Sequence, residues 1–362
     1  MTKLQLVEPA EPPGPPSTAD FEARIAALEE RVERFEASTS RKTPGGRSIL
    51  TELERFGLLI AWGALIVGLG IFKPDQMFAW NSYATMLGSN AMIVVLTLAL
   101  LIPLTAGDFD LSVAATMGLS SMIIAVVNVT LGLPIGLSIL AALAAGAAVG
   151  AFNAFFVLFF GIHSLIVTLG SGYFVAGLIL WVSDGTTIAG VSMELIRGVI
   201  LTRILGIPIG FYYALIATIV LWYVFQHTAA GRRLLFVGRG REVARLSGVN
   251  VVKARAWSFV AAGVVAAFAG VLYTGMRGAA DPTSALAFLL PAFAAAFLGS
   301  TTLYPGRFNA PGAFVAVFFL STGIMGLNFL GVDSFVQNLF YGGGLIVAVA
   351  ISQLIRQRKP MD

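Results

Sequence analysis

Residues 134–160 read PIGLSILAALAAGAAVGAFNAFFVLFF, a run of apolar and small residues without a single charge. At a rise of about 1.5 Å per residue, a helix of about 20 such residues crosses a hydrocarbon layer of about 30 Å. Further charge-free windows, with His counted as neutral, lie at Phe56–Phe72, Asn81–Gly107 and Leu111–Val182. The chain is 57% apolar and 12% charged, and the charged fraction is about half that of a soluble domain. This pattern predicts an all-α, polytopic membrane protein.

Ten hydrophobic segments follow residue 55, and they predict a helical bundle of about ten transmembrane helices. The segments cover roughly 56–72, 88–105, 111–130, 134–160, 164–183, 208–226, 257–276, 285–299, 311–328 and 335–355. Within the fourth segment, Gly146 and Gly150 stand at GxxxG spacing. Small residues at this spacing allow two helices to approach closely where lipid offers no hydrophobic driving force. We therefore expect a compact bundle.

The first 55 residues form a separate polar extension. Residues 8–20, EPAEPPGPPSTAD, cannot hold a helix or strand, because closely spaced prolines fix φ and remove hydrogen-bond donors. A short helix is predicted at 21–38, where apolar residues follow a heptad seam: Phe21, Ile25, Leu28, Val32 and Phe35. Two interpretations of this helix stay open, a solvated helix that frays and a helix that self-associates or docks on a partner subunit. A linker then leads to the membrane domain, 56–356, and residues 357–362 form a tail.

The distribution of Lys and Arg predicts the orientation of the bundle. With the N-terminus inside and ten crossings, the inner side receives 8 basic residues in 1–55, 7 in 227–256, 3 in 356–362, and Arg307. The outer side receives four: Lys73, Arg197, Arg203 and Arg277. Cytoplasmic loops of membrane proteins carry the excess of basic residues. Both termini and the loop 227–256 are therefore predicted to be cytoplasmic.

The cytoplasmic loop contains GRRLLFVGRGREVARLSGVNVVKAR at 231–255. Its charge alone is explained by the orientation rule. However, GREVARLSGV also predicts a short polar helix outside the membrane, a shape that another protein can grip. No G-x-x-x-x-G-K-[ST] motif for nucleotide phosphates occurs in the chain. The chain has no Cys and only two distant His, so neither a thiolate metal site nor any other metal cluster is predicted, and no nucleic-acid partner is expected.

Four stretches of this sequence resemble one family. Gly231-Arg232, Gly238 and Arg245-Leu246-Ser247-Gly248-Val249-Asn250 are similar to the cytoplasmic loop of permease subunits of bacterial ABC importers of the ribose, xylose and galactose type. The other three stretches are GDFDLSVAA (107–115), SLIVTLGS (164–171) and LGSTTLYPGRFNAPGA (298–313), which follow in the family's order. One departure is Arg239, because the family often has Gly-Gly-Asn where this chain has Gly238-Arg239-Gly240.

The resemblance implies a transport protein of the bacterial cell inner membrane rather than an enzyme. Its expected partners are ABC ATPase subunits, a second permease copy in a homodimer, a periplasmic sugar-binding protein and membrane lipid. No cofactor is expected, since the partner subunit binds and hydrolyses ATP. The residues expected to couple the permease to the ATPase are Gly231, Arg232, Gly238, Arg239, Arg245, Leu246, Ser247 and Gly248. The expected cargo is a monosaccharide or a sugar alcohol.

Uncharged polar residues within the apolar segments are candidates for the translocation path. They are Asn90, Asn153, Ser164, Thr168 and Thr274. An alternative interpretation is that Ser and Thr bond to their own helix and that Asn joins neighbouring helices. Asp110 and Ser112 stand at the start of the third segment, where either is expected to cap the helix.

The sequence leaves two alternatives to an importer subunit. A stand-alone secondary transporter or channel for a small neutral solute is the first. A proton-coupled carrier of that kind needs a carboxylate deep in the bundle, whereas the acids of residues 56–356 stand at segment ends or in loops. The second is a membrane scaffold whose N-terminal helix carries the function.

Overall fold

The computed structural model describes residues 18–40 and 49–358, and the chain divides into two compact units at Ile49. In the first unit, helix α1 spans Thr18–Ser40, so it contains the helix predicted at 21–38. It also includes residues 18–20, where the prediction that residues 8–20 hold no helix was wrong, because the last proline of that stretch is Pro16. Three residues of the heptad seam are more than half exposed, namely Ile25, Leu28 and Val32. The side chains of Phe21 and Phe35 lie outside the described residues. An exposed ion pair of 2.6 Å joins Glu30 to Arg34 one turn later.

The second unit consists almost entirely of helices. Its first half contains α2 (Ile49–Phe72), α3 (Pro74–Met77), α4 (Trp80–Ser89), α5 (Ala91–Thr105), α6 (Val113–Ala125), α7 (Ile135–Phe159), α8 (Ser164–Val182) and α9 (Met193–Ile196). Its second half contains α10 (Ile209–His227), α11 (Ala229–Arg239), α12 (Arg241–Leu246), α13 (Val251–Arg277), α14 (Leu289–Gly299), α15 (Ala310–Phe329) and α16 (Ser334–Arg358). Single π-helical turns continue α6 through Val126–Thr130 and α9 through Arg197–Leu201, and a 3₁₀ turn at Ser284–Phe288 precedes α14.

Two small antiparallel ribbons lie between the helices. Strand β1 (Ile188–Ala189) pairs with β4 (Ala279–Ala280), with Ile188 opposite Ala280. Strand β2 (Arg203–Ile204) pairs with β3 (Ile207–Pro208), with Arg203 opposite Pro208. The second ribbon turns through Leu205 and Gly206, and both have positive φ.

Seven helices of the described residues are long and apolar enough to cross a membrane: α2 from Arg55, α6 with its π-turn, α7, α8, α10, α13 and α15. The pair α4 and α5 passes the same test together but is bent by 43°. Shorter apolar helices lie at Ser284–Gly299 and Phe335–Ala350. These observations confirm the prediction of an all-α, polytopic membrane protein.

The centre of the bundle is α5, because all fifteen of its residues, Ala91–Thr105, are buried. Helix α13 packs against α5, α6 and α7, and together these helices form the main core. The outer helices instead expose large apolar side chains, such as Val67, Phe159 and Trp181. A bundle that is apolar both inside and outside is suited to a lipid surrounding.

The GxxxG spacing in α7 does allow a close helix crossing, as the sequence predicts. A Cβ at Gly146 would meet the carbonyl oxygen of Gly263 in α13, and a Cβ at Gly150 would meet that of Phe259. A Cβ at Gly263 would in turn meet the carbonyl oxygen of Gly146. Side chains larger than hydrogen therefore do not fit between α7 and α13 at these positions.

The predicted segment 88–105 differs from the structure at its start. The helical span begins earlier, at Trp80, and is divided into α4 and α5 at Asn90. Asn90 has φ −96° and ψ 2°, and its side-chain amide donates a 2.8 Å hydrogen bond to the carbonyl of Met86. Asn favours such bonds to nearby backbone over continuation of a helix, which accounts for the bend.

The loops of the second unit collect at two ends of the bundle. One end, called the basic end below, holds the loops at 106–112, 160–163 and 300–309. It also holds the connection 228–250, which contains α11 and α12. Contacts join them there, for example from Asp108 to Arg241 and from Phe109 to Ser164. The other end, called the opposite end, holds the loops at 131–134, 183–208, 278–283 and 330–333. They are joined by bonds such as Ser192 to Asn128 and Val191 to Gly278.

Candidate functional site

Helix α11 lies at the basic end with one apolar face turned inward. Gly231, Leu234 and Val237 are buried on this face. The basic residues Arg232, Arg233 and Arg239 are exposed. Residues that recur every three or four positions share one side of a helix. The result is a helix attached to the bundle that shows a cationic surface to solvent.

Two of the predicted coupling residues are glycines that allow α11 to approach the bundle. A Cβ at Gly231 would meet the carbonyl oxygen of Val224 in α10, and a Cβ at Gly238 would meet that of Thr105 in α5. Gly238 therefore places the end of α11 directly against the end of the central helix. These two glycines act through backbone packing, whereas the other predicted coupling residues present exposed side chains or, in Gly248, an exposed backbone.

Helix α12 presents two exposed apolar side chains at the basic end. Leu246 is 87% exposed and Val243 is 58% exposed, while Ala244 on the inner side is fully buried. The predicted coupling residues Arg245, Ser247 and Gly248 are exposed beside them. Gly248 has φ +81°, a left-handed conformation that ends the helix and that glycine adopts without strain. This exposed patch, formed by Val243, Arg245, Leu246, Ser247 and Gly248, is called the α12 patch below.

A buried carboxylate ties α12 to the bundle. Asp108, whose side chain is 2% exposed, accepts hydrogen bonds from Arg255 Nε at 2.7 Å and Nη2 at 2.8 Å. Arg241, the first residue of α12, donates from Nη2 to Asp108 Oδ1 and to the carbonyl of Gly107, both at 2.9 Å. The loop between α5 and α6 is thus bound to α12 and to the first turns of α13. Charge-assisted bonds of this kind are the strong ones in proteins.

Sequence reasoning did not identify Arg241 and Arg255 as site residues, and it did not pair them with Asp108. The partners are separated by 133 and 147 residues, so no local pattern connects them. The sequence offered only a general indication of the pairing. A carboxylate in an apolar chain requires a cation once it is buried, and the loop 227–256 contains the most Lys and Arg of the membrane domain.

The loop after Asp108 is held by three of the residues that the sequence proposed for the translocation path. Ser164 Oγ accepts from the backbone N–H of Phe109 at 3.1 Å, and Thr168 Oγ1 accepts from Leu111 N–H at 3.0 Å. Asn153 donates to Ser112 Oγ at 2.8 Å. These side chains of α7 and α8 therefore lie together at the basic end.

The two residues expected to cap α6 form a turn in front of it. Asp110 Oδ1 accepts from the backbone N–H of Ser112 at 3.0 Å and from its hydroxyl at 2.6 Å. Ser112 is the residue before α6, and its side chain makes no capping bond to the helix. Burial raises the pKa of Asp110 from 3.8 to about 6, and the two bonds from Ser112 oppose this rise.

The other two path candidates lie elsewhere. Thr274 Oγ1 is 2.8 Å from Ser121 Oγ in α6 and 2.8 Å from the carbonyl of Gly270, so it joins α13 to α6. Asn90 lines two cavities at the opposite end of the bundle. The structure thus groups three candidates at the basic end, buries the fourth between helices and places the fifth at a cavity. Among the described residues, no cluster of three or more His, Asp or Glu has a metal-binding arrangement.

Comparison with known proteins gives one family and a consistent set of relatives. The model of the family described as branched-chain amino acid transport system, permease component, matches residues 82–349. The chain is 30% identical to the ribose import permease protein RbsC of Bacillus subtilis over 306 residues, which cover 83% of this chain and 93% of the relative. It is 26% identical to the D-allose transport system permease protein AlsC of Escherichia coli, with 89% and 98% covered.

A third relative, the L-arabinose transport system permease protein AraH of E. coli, is 29% identical, with 84% of this chain and 92% of the relative covered. All three relatives are described as permease proteins of transport systems and none as an enzyme. No solved structure matches this chain significantly.

Proposed function

We propose that this chain, which belongs to the family of branched-chain amino acid transport system permease components, is the membrane-spanning subunit of an ATP-binding cassette importer. Its cargo is a monosaccharide or a sugar alcohol, as the names of the ribose, allose and arabinose relatives support. It lies in the bacterial inner membrane, receives its cargo from a periplasmic binding protein and is driven by separate ATPase subunits. A second permease copy completes the complex.

The proposed topology has ten crossings with both termini in the cytoplasm. Seven long helices, the bent pair α4 and α5, and the two shorter apolar helices together supply these crossings. Their loops alternate between the basic end and the opposite end along the chain. The basic end carries the excess of Lys and Arg, which supports its placement in the cytoplasm.

The observation that carries the proposal is the α12 patch. Leu246, at 87% exposure, is an apolar side chain on a short helix outside the bundle, and Arg245 and Val243 accompany it. Apolar side chains surrounded by charge are typical of an interface core with a polar rim. The ATPase is proposed to bind this patch. Movement of α12 then reaches the bundle through Arg241 and Asp108, and the helices rock between two states.

One experiment tests the docking surface. Leu246→Asp and Arg245→Glu are expected to abolish co-purification of the ATPase subunits with the permease, while the amount of inserted permease stays unchanged. Leu205→Asp is the matched control, because Leu205 is 80% exposed and lies at the opposite end. Retention of the ATPase by both α12 variants, with full sugar import, would contradict the proposal.

A second experiment tests the orientation. The chain has no Cys, so a single Cys is the only thiol of each variant. A membrane-impermeant maleimide added to intact spheroplasts is expected to label Leu205→Cys and to leave Leu246→Cys unlabelled until the membrane is opened. The reverse labelling pattern would place the α12 patch outside and exclude an ATPase partner.

A stand-alone secondary transporter and a scaffold make different predictions. The permease alone in liposomes is expected to import no sugar without the ATPase subunits, whereas a secondary transporter would do so. Deletion of residues 1–40 is expected to leave import intact, because α1 belongs to a unit separate from the bundle. Loss of import on this deletion would favour a role for the N-terminal helix.

A further inference from the structure

Helix α1 presents an apolar seam to solvent. Ile25, Leu28 and Val32 are 53%, 58% and 55% exposed, and α1 belongs to a unit separate from the bundle. Large apolar side chains that share one face of a helix gain free energy when a second surface removes them from water. The seam is therefore a surface for a partner.

The residue types along the seam favour a coiled coil of two strands. Their 4-3-4-3 spacing in the sequence assigns Ile25 and Val32 to heptad position a and Leu28 to position d, and Phe21 and Phe35 occupy the flanking d positions. β-branched residues at a with Leu at d favour a parallel dimer, whereas Ile at both positions favours three or four strands. The seam thus matches a second copy of the same helix.

The charges beside the seam are complementary to a parallel second copy. Position g holds Arg24 and Arg31, and position e holds Glu22, Glu29 and Glu36. In a parallel pair each g residue faces the e residue five positions later on the other helix, which joins Arg24 to Glu29 and Arg31 to Glu36. Twofold symmetry makes each of these pairs occur twice. In an antiparallel pair g faces g and e faces e, so that like charges meet.

Within one helix, two of these charges have no partner of opposite sign. Side chains on one helix interact when they stand three or four residues apart, as Glu30 and Arg34 do in their 2.6 Å ion pair. Arg31 and Glu29 have no opposite charge at either spacing. Glu29 instead stands four residues before Glu33, a like charge. A second α1 supplies the partners that are missing.

We infer that α1 is a dimerisation helix, which pairs in parallel and in register with α1 of a second permease copy. The inference rests on the proposed function, whose complex contains two permease copies, and it adds a surface that joins them. A seam of this length is short for a stable coiled coil between free chains. Attachment to two permeases in one complex makes the pairing intramolecular, with an effective concentration on the order of millimolar. The α1 pair stabilises the complex and takes no part in the path of the cargo.

Disulfide formation between full-length permeases in membranes tests the pair. The chain has no Cys, so each variant carries a single thiol. Every a residue of a parallel, in-register pair meets its own copy, so Ile25→Cys and Val32→Cys are both expected to cross-link under copper phenanthroline. Ala26→Cys is the matched control, because Ala26 is exposed and stands next to the seam at outward position b. Both seam variants are expected to cross-link at least about 10-fold faster than this control.

Charge reversal tests the flanking pairs in the Ile25→Cys background. Arg24→Glu together with Arg31→Glu is expected to slow cross-linking by roughly 10- to 20-fold, at about twofold for each of the four exposed pairs. Adding Glu29→Arg and Glu36→Arg reverses the sense of every pair and is expected to restore the rate. A rate that stays low after these additions would overturn the Arg–Glu pairing.

The remaining outcomes separate this pair from the proposed function. Seam variants that cross-link no faster than the control, in a permease that retains its ATPase, would overturn the α1 pair alone. Cross-linking at only one of the two seam positions would overturn the parallel register, because two residues seven apart meet their own copies only in a parallel pair. A permease that cross-links at both positions but retains no ATPase would support the pair and reject the proposed function.

Discussion

Replacing Asp108 with Asn removes a buried negative charge from between two arginines. Asp108 is 2% exposed, and the Arg255 side chain that binds it through two atoms is 15% exposed. Removing one partner of a buried ion pair costs about 3–5 kcal/mol, because the other charge stays buried without compensation. Asn keeps one oxygen acceptor, so the lower value of about 3 kcal/mol is expected. The Arg241 side chain is 42% exposed, and its share is discounted to about 0.5 kcal/mol.

The assay is thermal unfolding of the purified permease in detergent, followed by import in proteoliposomes. A loss of about 3 kcal/mol corresponds to a fall in Tm of roughly 6 °C, at about 2 °C per kcal/mol for a chain of this size. Import per ATP hydrolysed is also expected to fall, since Asp108 links α12 to the loop between α5 and α6. Asp75→Asn is the control, because Asp75 lies exposed in α3.

The double variant Asp108→Asn with Arg255→Gln sharpens this test. Removing both charges leaves no uncompensated ion between these two residues, so the combined loss of Tm is expected to be smaller than the sum of the single losses. A Tm of Asp108→Asn within 1 °C of wild type, with unchanged import per ATP, would refute the reasoning. Strictly additive losses would show that the two side chains do not act as a pair.

Two more predictions concern the second unit. The unfolded chain ionises Asp110 near 3.8 and the folded protein near 6, so the folded state binds more protons in this window and its stability falls as pH rises through it. Asp110→Asn is therefore expected to raise the free energy of unfolding at pH 7.5 by up to about 3 kcal/mol, and Tm with it, but to leave both unchanged below pH 4. An equal rise of Tm at both pH values would contradict this. Gly150→Ala is expected to cost about 1–3 kcal/mol, because its Cβ would meet the backbone of α13. Gly177→Ala is the control, because nothing lies within 4 Å of a Cβ at this position. It is expected to leave the free energy of unfolding unchanged or to raise it by up to about 1 kcal/mol. Equal Tm values for the two Gly variants would refute the close crossing of α7 and α13.

The apolar runs were sufficient to predict the fold class and most helices. Charge-free windows such as 134–160 have one stable solution in a lipid layer, a helix that satisfies its own backbone. The short helix in GREVARLSGV could also be predicted, since its helix-forming residues are followed by Gly248. In the structure this glycine has positive φ just after α12. The bend at Asn90 could not, because Asn is tolerated within many helices and its bond to Met86 is decided by packing.

The contacts of the site residues could be predicted from local sequence patterns only in part. Ser164 and Thr168 stand four residues apart, a spacing that places two residues on one side of a helix, and in α8 they do lie together. That side packs against the loop before α6, and this fact depends on contacts more than fifty residues apart in sequence. Asp108 and Arg255 are a stronger case, because neither residue alone predicts the other.

The burial of α5 has a mechanical consequence. The helix begins just after Asn90, at the bend, and ends at Thr105, against Gly238 and three residues before Asp108. Its fifteen residues span about 22 Å at 1.5 Å per residue. Because all of its residues are buried, α5 contacts neighbouring parts of the bundle on every side, and Pro103 in its last turn removes one backbone hydrogen bond there. Contact with Gly238 at its Thr105 end therefore acts on this part of the span, and the 43° bend at Asn90 joins the other end of α5 to α4.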